Sequence, residues 1–192
     1  MWWKTFAKKH NIEYRLWSDE DLDTFVKTHY PEFNECCYSK YPKRIQKVDA
    51  ARYMILHRHG GLYADMDFEI CNDNLLNDIH PIKSSIVESP YKHNEYYHNS
   101  LMVSPQKRDP FWLHVLDTMR DPKRLHSRGI LYSTGPQMLD AAIYSCNVRE
   151  DGQCIHMLPS NTYQPPYLPF QKEGLCQQYK RANTIHHLTN SY

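Results

Sequence analysis

The 192-residue sequence has no uninterrupted apolar run longer than four residues; Tyr53–Leu56 and Ala141–Tyr144 are the longest. A membrane-crossing helix needs about 20 such residues, so none is expected. The opening Met1-Trp2-Trp3-Lys4 holds neither an apolar signal core nor a small-residue cleavage site. The expectation is a cytosolic protein, or a soluble domain of a longer one. Net charge is nearly absent as well: 23 basic and 22 acidic residues leave +1. That offers no basic footprint for DNA or RNA, so nucleic acid is not an expected partner.

Cysteine is scarce, with six residues: Cys36, Cys37, Cys71, Cys146, Cys154 and Cys176. They are too sparse for a disulfide scaffold, and the adjacent Cys36-Cys37 pair lacks the two-residue gap of a zinc knuckle. All six are read as reduced and mostly structural. Aliphatic side chains are also few: Leu, Ile, Val and Phe make up 39 of 192 residues, close to disordered compositions. The balanced charge removes the self-repulsion that would keep such a chain open. Fifteen tyrosines and four tryptophans add burial that the aliphatic count misses, and their polar tips suit the lining of a ligand cleft. With no internal repeat, low-complexity tract or Gly/Ser linker, a single domain over residues 1–192 is expected.

Ser18 followed by Asp21 signals a helix over about 19–30, stopped by Pro31. A second helix is expected over about 43–59, with Ile45, Val48, Ala51, Ile55 and Leu56 on one stripe and Gly60-Gly61 as its exit. Leu62-Tyr63-Ala64 reads as a short buried strand delivering Asp65-Met66-Asp67 at its carboxyl end. Further strands are expected over 85–88, 101–104, 155–158 and 184–188. Further helices are expected over 110–119, with Pro110 at the first position, and over about 136–145, while the proline-rich stretch 159–169 reads as loop. Helices alternating with short strands indicate an α/β layer architecture.

Chemistry concentrates between Asp49 and Asp67. On a helix Asp49 and Arg52 are three apart and share a face, so they can pair with each other or present a carboxylate and a guanidinium to one ligand. In an extended segment Asp65 and Asp67 project to one side, about 6 to 7 Å apart. Carboxylates held that close repel unless a cation lies nearby, and Mg²⁺ or Mn²⁺ bound to a diphosphate resolves the repulsion. An isolated Asp-x-Asp is a weak signal; here it follows a Gly-Gly break and a buried strand, and a helical Asp-x-x-Arg precedes it.

Asp49, Arg52, Leu56, Gly60, Gly61, Tyr63, Asp65 and Asp67 stand at the spacing of a known signature, and the segment resembles the DXD-containing sugar transferases: the Och1-like mannosyltransferases of yeast and the catalytic domains of large clostridial glucosylating toxins. Weaker echoes follow at Asn99-Ser100, Pro110-Phe111 and Thr134-Gly135-Pro136. The end His186-His187-Leu188-Thr189-Asn190-Ser191-Tyr192 resembles the family's His-His-x-x-Gly-Ser-Trp, with Asn190 for Gly and Tyr192 for Trp. The family's usual first strand, carrying Ile-Pro-x-x-Ile-His-x-x-Trp, is not found in this sequence.

The resemblance implies a GT-A type fold, a mixed central sheet flanked by helices, and metal-dependent transfer with retention from a UDP- or GDP-linked sugar to a glycan or protein acceptor, with Mn²⁺ or Mg²⁺. It implies that Asp67 binds the metal, that Asp65 contacts ribose or donor sugar and metal-bound water, and that Asp49 and Arg52 hold sugar hydroxyls. Tyr63 would lie near the nucleoside, with Asn99 and Thr134 in the substrate site. His186 would complete the metal or diphosphate site, and Ser191 and Tyr192 would touch the diphosphate. Adjacent histidines on an extended segment point to opposite faces, so only one of His186 and His187 can serve. Two other functions compete. One is a non-catalytic nucleotide-sugar-binding module. The other is an Asp-x-Asp phosphatase, which wants Thr or Val two residues past its second Asp, where this chain has Glu69.

Overall fold

In the computed structural model, which describes residues 2–90, 95–125, 129–150, 152–166 and 174–187, local sequence signals set the first long helices. After α1 (Trp2–Lys9), Ser18 caps α2 (Asp19–His29). Its hydroxyl accepts the Asp21 N–H at 3.1 Å, and the Asp21 carboxylate accepts the Ser18 N–H at 3.0 Å, a reciprocal box that satisfies two otherwise unpaired donors. Pro31 stops α2 as expected, and then occupies the first turn of α3 (Pro31–Cys36). A 3₁₀ turn (Tyr38–Lys40) leads into α4 (Arg44–His59).

At the end of α4, Gly60 takes φ +68° and ψ −161°, a backbone region essentially reserved for glycine. A Cβ there would stand 3.0 Å from the backbone carbon of Gln106. Helix α4 and the strand that follows can therefore meet the Gln106 loop this closely only with glycine between them.

The chain continues through β1 (Gly61–Ala64), β2 (Phe68–Ile70), α5 (Leu75–Asp78), β3 (Ser85–Glu88) and β4 (Tyr97–Ser104). Next come α6 (Pro110–Met119), capped by Asp109, then α7 (Pro122–Leu125), α8 (Ile130–Ser133) and α9 (Pro136–Arg149). The last described elements are β5 (His156–Leu158), α10 (Ser160–Tyr163), α11 (Leu175–Gln178) and β6 (Thr184–His186).

Four strands form one sheet in the order β1-β4-β3-β5, with β4 antiparallel to both neighbours and β3 parallel to β5. Strands β2 and β6 make a separate antiparallel ribbon. Successive strand residues alternate between faces, and the core follows that alternation. Ile86 and Met102 join α4, α6 and α9 in the larger cluster, with Trp112 and Tyr53 at its centre. Val87 and Leu101 face the other way, toward Phe6 of α1, Phe68 of the ribbon, Leu158 and Tyr163. The expected mixed sheet flanked by helices is what the chain builds.

The stretch read as loop, 159–169, holds the short helix α10, and several other short helices went unread; helix α1 and strand β2 are likewise absent from the sequence reading. Both depend on partners distant in sequence: Phe6 is buried by Phe68, and β2 is three residues long. The reading of the cysteines is corrected too. Cys71 and Cys176 form a disulfide that closes a separation of 105 residues; Cys36, Cys37, Cys146 and Cys154 are free thiols. Composition could not find this bond, because a single bridge needs only two cysteines, here one after β2 and one on α11, that the fold brings together. No helix among the described residues is long and apolar enough to cross a membrane.

Candidate functional site

Strand β1 ends at Ala64, and the Asp65 N–H still donates to the Ser100 carbonyl of β4 at 2.8 Å. The chain then turns. Phe68 N–H donates to the Asp65 carbonyl at 3.2 Å, so Asp65-Met66-Asp67 is a tight turn and not the extended segment the sequence suggested. The correction has a chemical consequence: the two carboxylates reach one point through the turn rather than through strand alternation. Met66, at the apex, is 71% exposed.

The ribbon supplies the third group. In the β2–β6 register Phe68 lies opposite His186, and their rings stack 4.4 Å apart. The neighbouring His187 N–H donates to the Asp67 carbonyl at 2.9 Å. His186 Nε2 thereby comes 3.1 Å from Asp67 Oδ1. Asp65, Asp67 and His186 each offer one ligand atom, and these atoms lie within 4.8 Å of one another. His187 turns away, with Nε2 2.9 Å from Glu69 Oε2 and its ring stacked on Trp2. Of the two adjacent histidines, His186 faces the carboxylates.

Beneath this triad lies a buried polar layer. Arg52, 2% exposed, places Nη1 3.2 Å from Asp65 Oδ1 and Nη2 3.1 Å from Asp49 Oδ1. Nη1 also donates to the Asn99 carbonyl at 2.7 Å. The Asn99 side chain donates to Asp49 Oδ1 and to the Tyr53 hydroxyl, both at 3.0 Å. Thr134 Oγ1 donates to Asp49 Oδ2 at 3.2 Å. Tyr63 donates its hydroxyl proton to Asp65 Oδ1 at 2.9 Å and lies under the Arg52 guanidinium. The structure thus gathers Asp49, Arg52, Tyr63, Asn99 and Thr134, and it couples them to Asp65. Ser191 and Tyr192 lie outside the described residues.

Burial dominates the electrostatics of this layer. It pushes the Asp49 carboxyl up, to about 6, against the pull of the Arg52 guanidinium. Burial also works against charge on Arg52, yet Asp65, Tyr63 and Asp49 outweigh it and hold the guanidinium protonated. The buried cation is therefore shared between two carboxylates.

Sequence reasoning missed His98. Its ring stands edge-on to His186, with centroids 5.6 Å apart. Burial, then the nearby His186 and Arg52, lower its imidazole to about 3, so it is neutral at ordinary pH. Periodicity could not have found it: Leu101 faces the ribbon and Met102 faces α4, so simple alternation would send Ser100 and His98 toward α4, whereas the irregular register of β4 against β3 puts His98 beside His186. His98 Nδ1 lies 2.6 Å from Ser100 Oγ, which donates to Gln164 Oε1 at 3.3 Å.

Two carboxylates and an imidazole are a donor set that Mn²⁺ accepts readily, and Mg²⁺ through its oxygen ligands. The chemistry of the residues therefore fits a divalent cation shared with a diphosphate.

Comparison with known proteins agrees with this chemistry. Residues 3–86 match the family described as "Glycosyltransferase sugar-binding region containing DXD motif". Inositol phosphoceramide mannosyltransferase 3 of Schizosaccharomyces pombe is 44% identical over 65 residues, 34% of this chain and 18% of that protein. Mannosyl phosphorylinositol ceramide synthase CSH1 of Saccharomyces cerevisiae is 32% identical over 126 residues, 64% of this chain and 32% of that protein. The chain thus spans a third or less of the length of these relatives. Among solved structures, PaToxG Glycosyltransferase superposes with a TM-score of 0.51 at 18% identity, over 77% of this chain and 54% of that one, which shows a shared fold of the GT-A type. The segment from residue 3 to residue 86, which carries Asp49, Arg52, Tyr63, Asp65 and Asp67, belongs to the DXD-containing family of sugar transferases.

Proposed function

We propose that this chain is the catalytic domain of a metal-dependent glycosyltransferase that moves a hexose from a nucleoside-diphosphate sugar to an acceptor hydroxyl, with retention of configuration. The observation that carries the reading is the convergence of Asp65, Asp67 and His186 within 4.8 Å. Asp67 and His186 would hold the cation directly, and Asp65 would hold it directly or through its water. A Mn²⁺ or Mg²⁺ held there would supply positive charge against the diphosphate leaving group, a contribution of several kcal/mol. Arg52 aims Asp65, Asp49 and the Asn99 carbonyl hold Arg52, and Thr134 holds Asp49. The names of the yeast relatives support mannose as the first sugar to test and an inositol phosphoceramide lipid beside glycans and proteins among acceptors. The Cys71–Cys176 disulfide supports an oxidising compartment over the cytosol.

Isothermal titration tests the reading. With Mn²⁺ present, the chain is expected to bind at least one of GDP-mannose, UDP-glucose and UDP-galactose, and Asp67→Asn is expected to abolish that binding. Failure of all of them to bind in a metal-dependent way would overturn the proposal. Phosphate release from simple phosphomonoesters, lost in Asp65→Asn, would instead establish the phosphatase reading.

A further inference from the structure

His187 is the histidine that the cation triad leaves unused, yet its backbone joins two of the triad's ligands. Its N–H donates to the Asp67 carbonyl at 2.9 Å, and its chain neighbour is His186, whose Nε2 lies 3.1 Å from Asp67 Oδ1. That backbone hydrogen bond lies just outside the three paired positions of β2 and β6, at an end of the ribbon, where local opening is easiest. The His187 side chain ties this end down twice. Across the ribbon its Nε2 lies 2.9 Å from Glu69 Oε2, a diagonal cross-strand contact. Its ring also stacks on the Trp2 indole, with centroids 5.4 Å apart and planes 1° from parallel. Helix α1, which carries Trp2, is seated by Phe6 in the core that also buries Phe68.

A metal ligand needs its orientation fixed from outside the coordination sphere. The stack of Phe68 on His186 sets the plane of that ring. The distance from its Nε2 to Asp67 depends on the backbone of residues 186 and 187, and it is this backbone that Glu69 and Trp2 hold through the second imidazole. We infer that His187, clasped between Glu69 and Trp2, is a positioning residue that sets His186 in place as a cation ligand and acts only through that neighbour. The inference rests on the part of the reading above that gives Asp65, Asp67 and His186 a divalent cation. The adjacent histidines thus divide the work: one faces the ion and the other braces it.

Titration of the full chain with Mn²⁺ alone, read by loss of the free-ion paramagnetic resonance signal, tests it. His187→Ala is expected to weaken Mn²⁺ binding about ten-fold, in the range typical of groups that orient metal ligands. Trp2→Ala, at a position 41% exposed, is expected to weaken it in the same direction and serves should His187→Ala fail to fold. His187→Gln, whose amide can still reach Glu69, is expected to recover most of the loss. In a His186→Ala background, His187→Ala is expected to cost nothing further, because its route to the ion is gone. Lys9→Ala, which breaks the ion pair with Asp73 at the other end of α1, is expected to leave Mn²⁺ affinity unchanged. Unchanged affinity in His187→Ala, an equal loss with and without His186, or the same loss in Lys9→Ala would each overturn the inference and leave the nucleotide-sugar reading standing. A wild type that gives the expected Mn²⁺ pattern but binds no nucleotide sugar removes that reading and keeps the inference; one that binds no Mn²⁺ removes both.

Discussion

Arg52 stands between two carboxylates and divides its guanidinium between them, Nη2 at 3.1 Å from Asp49 and Nη1 at 3.2 Å from Asp65. One of these acids is buried in the helical core and the other opens the turn that bears the candidate cation site. The arginine is thus the physical link between core and chemistry.

Removing that link should unfold the region before it alters any ligand contact. Arg52→Met leaves Asp49 buried without its cation, and breaking a buried pair costs about 3–5 kcal/mol. For a chain of this size that lowers the melting temperature by about 10 °C. Asp49→Asn added to Arg52→Met should recover part of the loss, because it removes the unpaired charge. Thermal unfolding of both variants checks the order; equal melting temperatures for wild type and Arg52→Met would contradict it.

The Tyr63 hydroxyl supports Asp65 through a 2.9 Å hydrogen bond, while its ring lies under Arg52. Groups that orient metal ligands from behind typically change metal affinity about 10- to 100-fold when lost. Tyr63→Phe is expected to weaken Mn²⁺ binding by that range in a titration with the metal and a nucleoside diphosphate. Unchanged affinity would show that Asp65 needs no support from this hydroxyl.

The disulfide clamps the residue after β2 to α11, across 105 positions. In the chain-entropy view a loop of that size contributes on the order of 4 kcal/mol. Cys176→Ser, or incubation with dithiothreitol, should lower the urea midpoint accordingly. Intact mass before and after alkylation should find four free thiols in the untreated protein, matching Cys36, Cys37, Cys146 and Cys154.

Acid should destabilise the fold earlier than its carboxylates alone would dictate. His57 and His98 are both held below the ordinary imidazole value, chiefly by burial and then by neighbouring cations. Above about pH 6.5 both are neutral folded and unfolded, and they add no pH dependence. As pH falls below that, the unfolded chain takes imidazole protons that the folded chain refuses, so each histidine lowers stability by up to about 1.4 kcal/mol per pH unit, while Asp49, raised to about 6 in the fold, offsets one of them below about pH 6. Denaturant titrations of the metal-free protein between pH 7.5 and 5 should show the decline, and His98→Phe should flatten it. A level profile over that interval would rule the account out.

Much of the site was legible because its parts are local. Ser18 and Asp21 announced α2, and the Asp49-x-x-Arg52 spacing with Gly60-Gly61 and Tyr63-x-Asp65-x-Asp67 announced α4, β1 and the acidic pair at its end, though not the turn that carries it. His186 was reachable only through the resemblance at the chain's end, since its approach to Asp67 spans 119 positions and no short-range pattern encodes it. The role of Asn99 and Thr134 was harder still. Both were read as substrate contacts, and in the structure both donate to Asp49, Asn99 also to Tyr53, contacts made by burial that spacing does not reveal. The extended reading of Asp65–Asp67 failed for a related reason. The Asp65–Phe68 hydrogen bond that closes the turn is stabilised by Phe68 entering a core built from α1, β3, β4 and β5.

Two three-residue strands bring His186 to Asp67, paired Phe68 to His186, Glu69 to Ile185 and Ile70 to Thr184. Side chains on a strand repeat every second residue, so a slip of a single position would offer Ile185 or, in the other direction, His187 where His186 now stands. So short a zipper has few rungs with which to correct such an error. Damage to the covalent tie at its far end would accordingly be felt as a loss of chemistry well before any loss of shape.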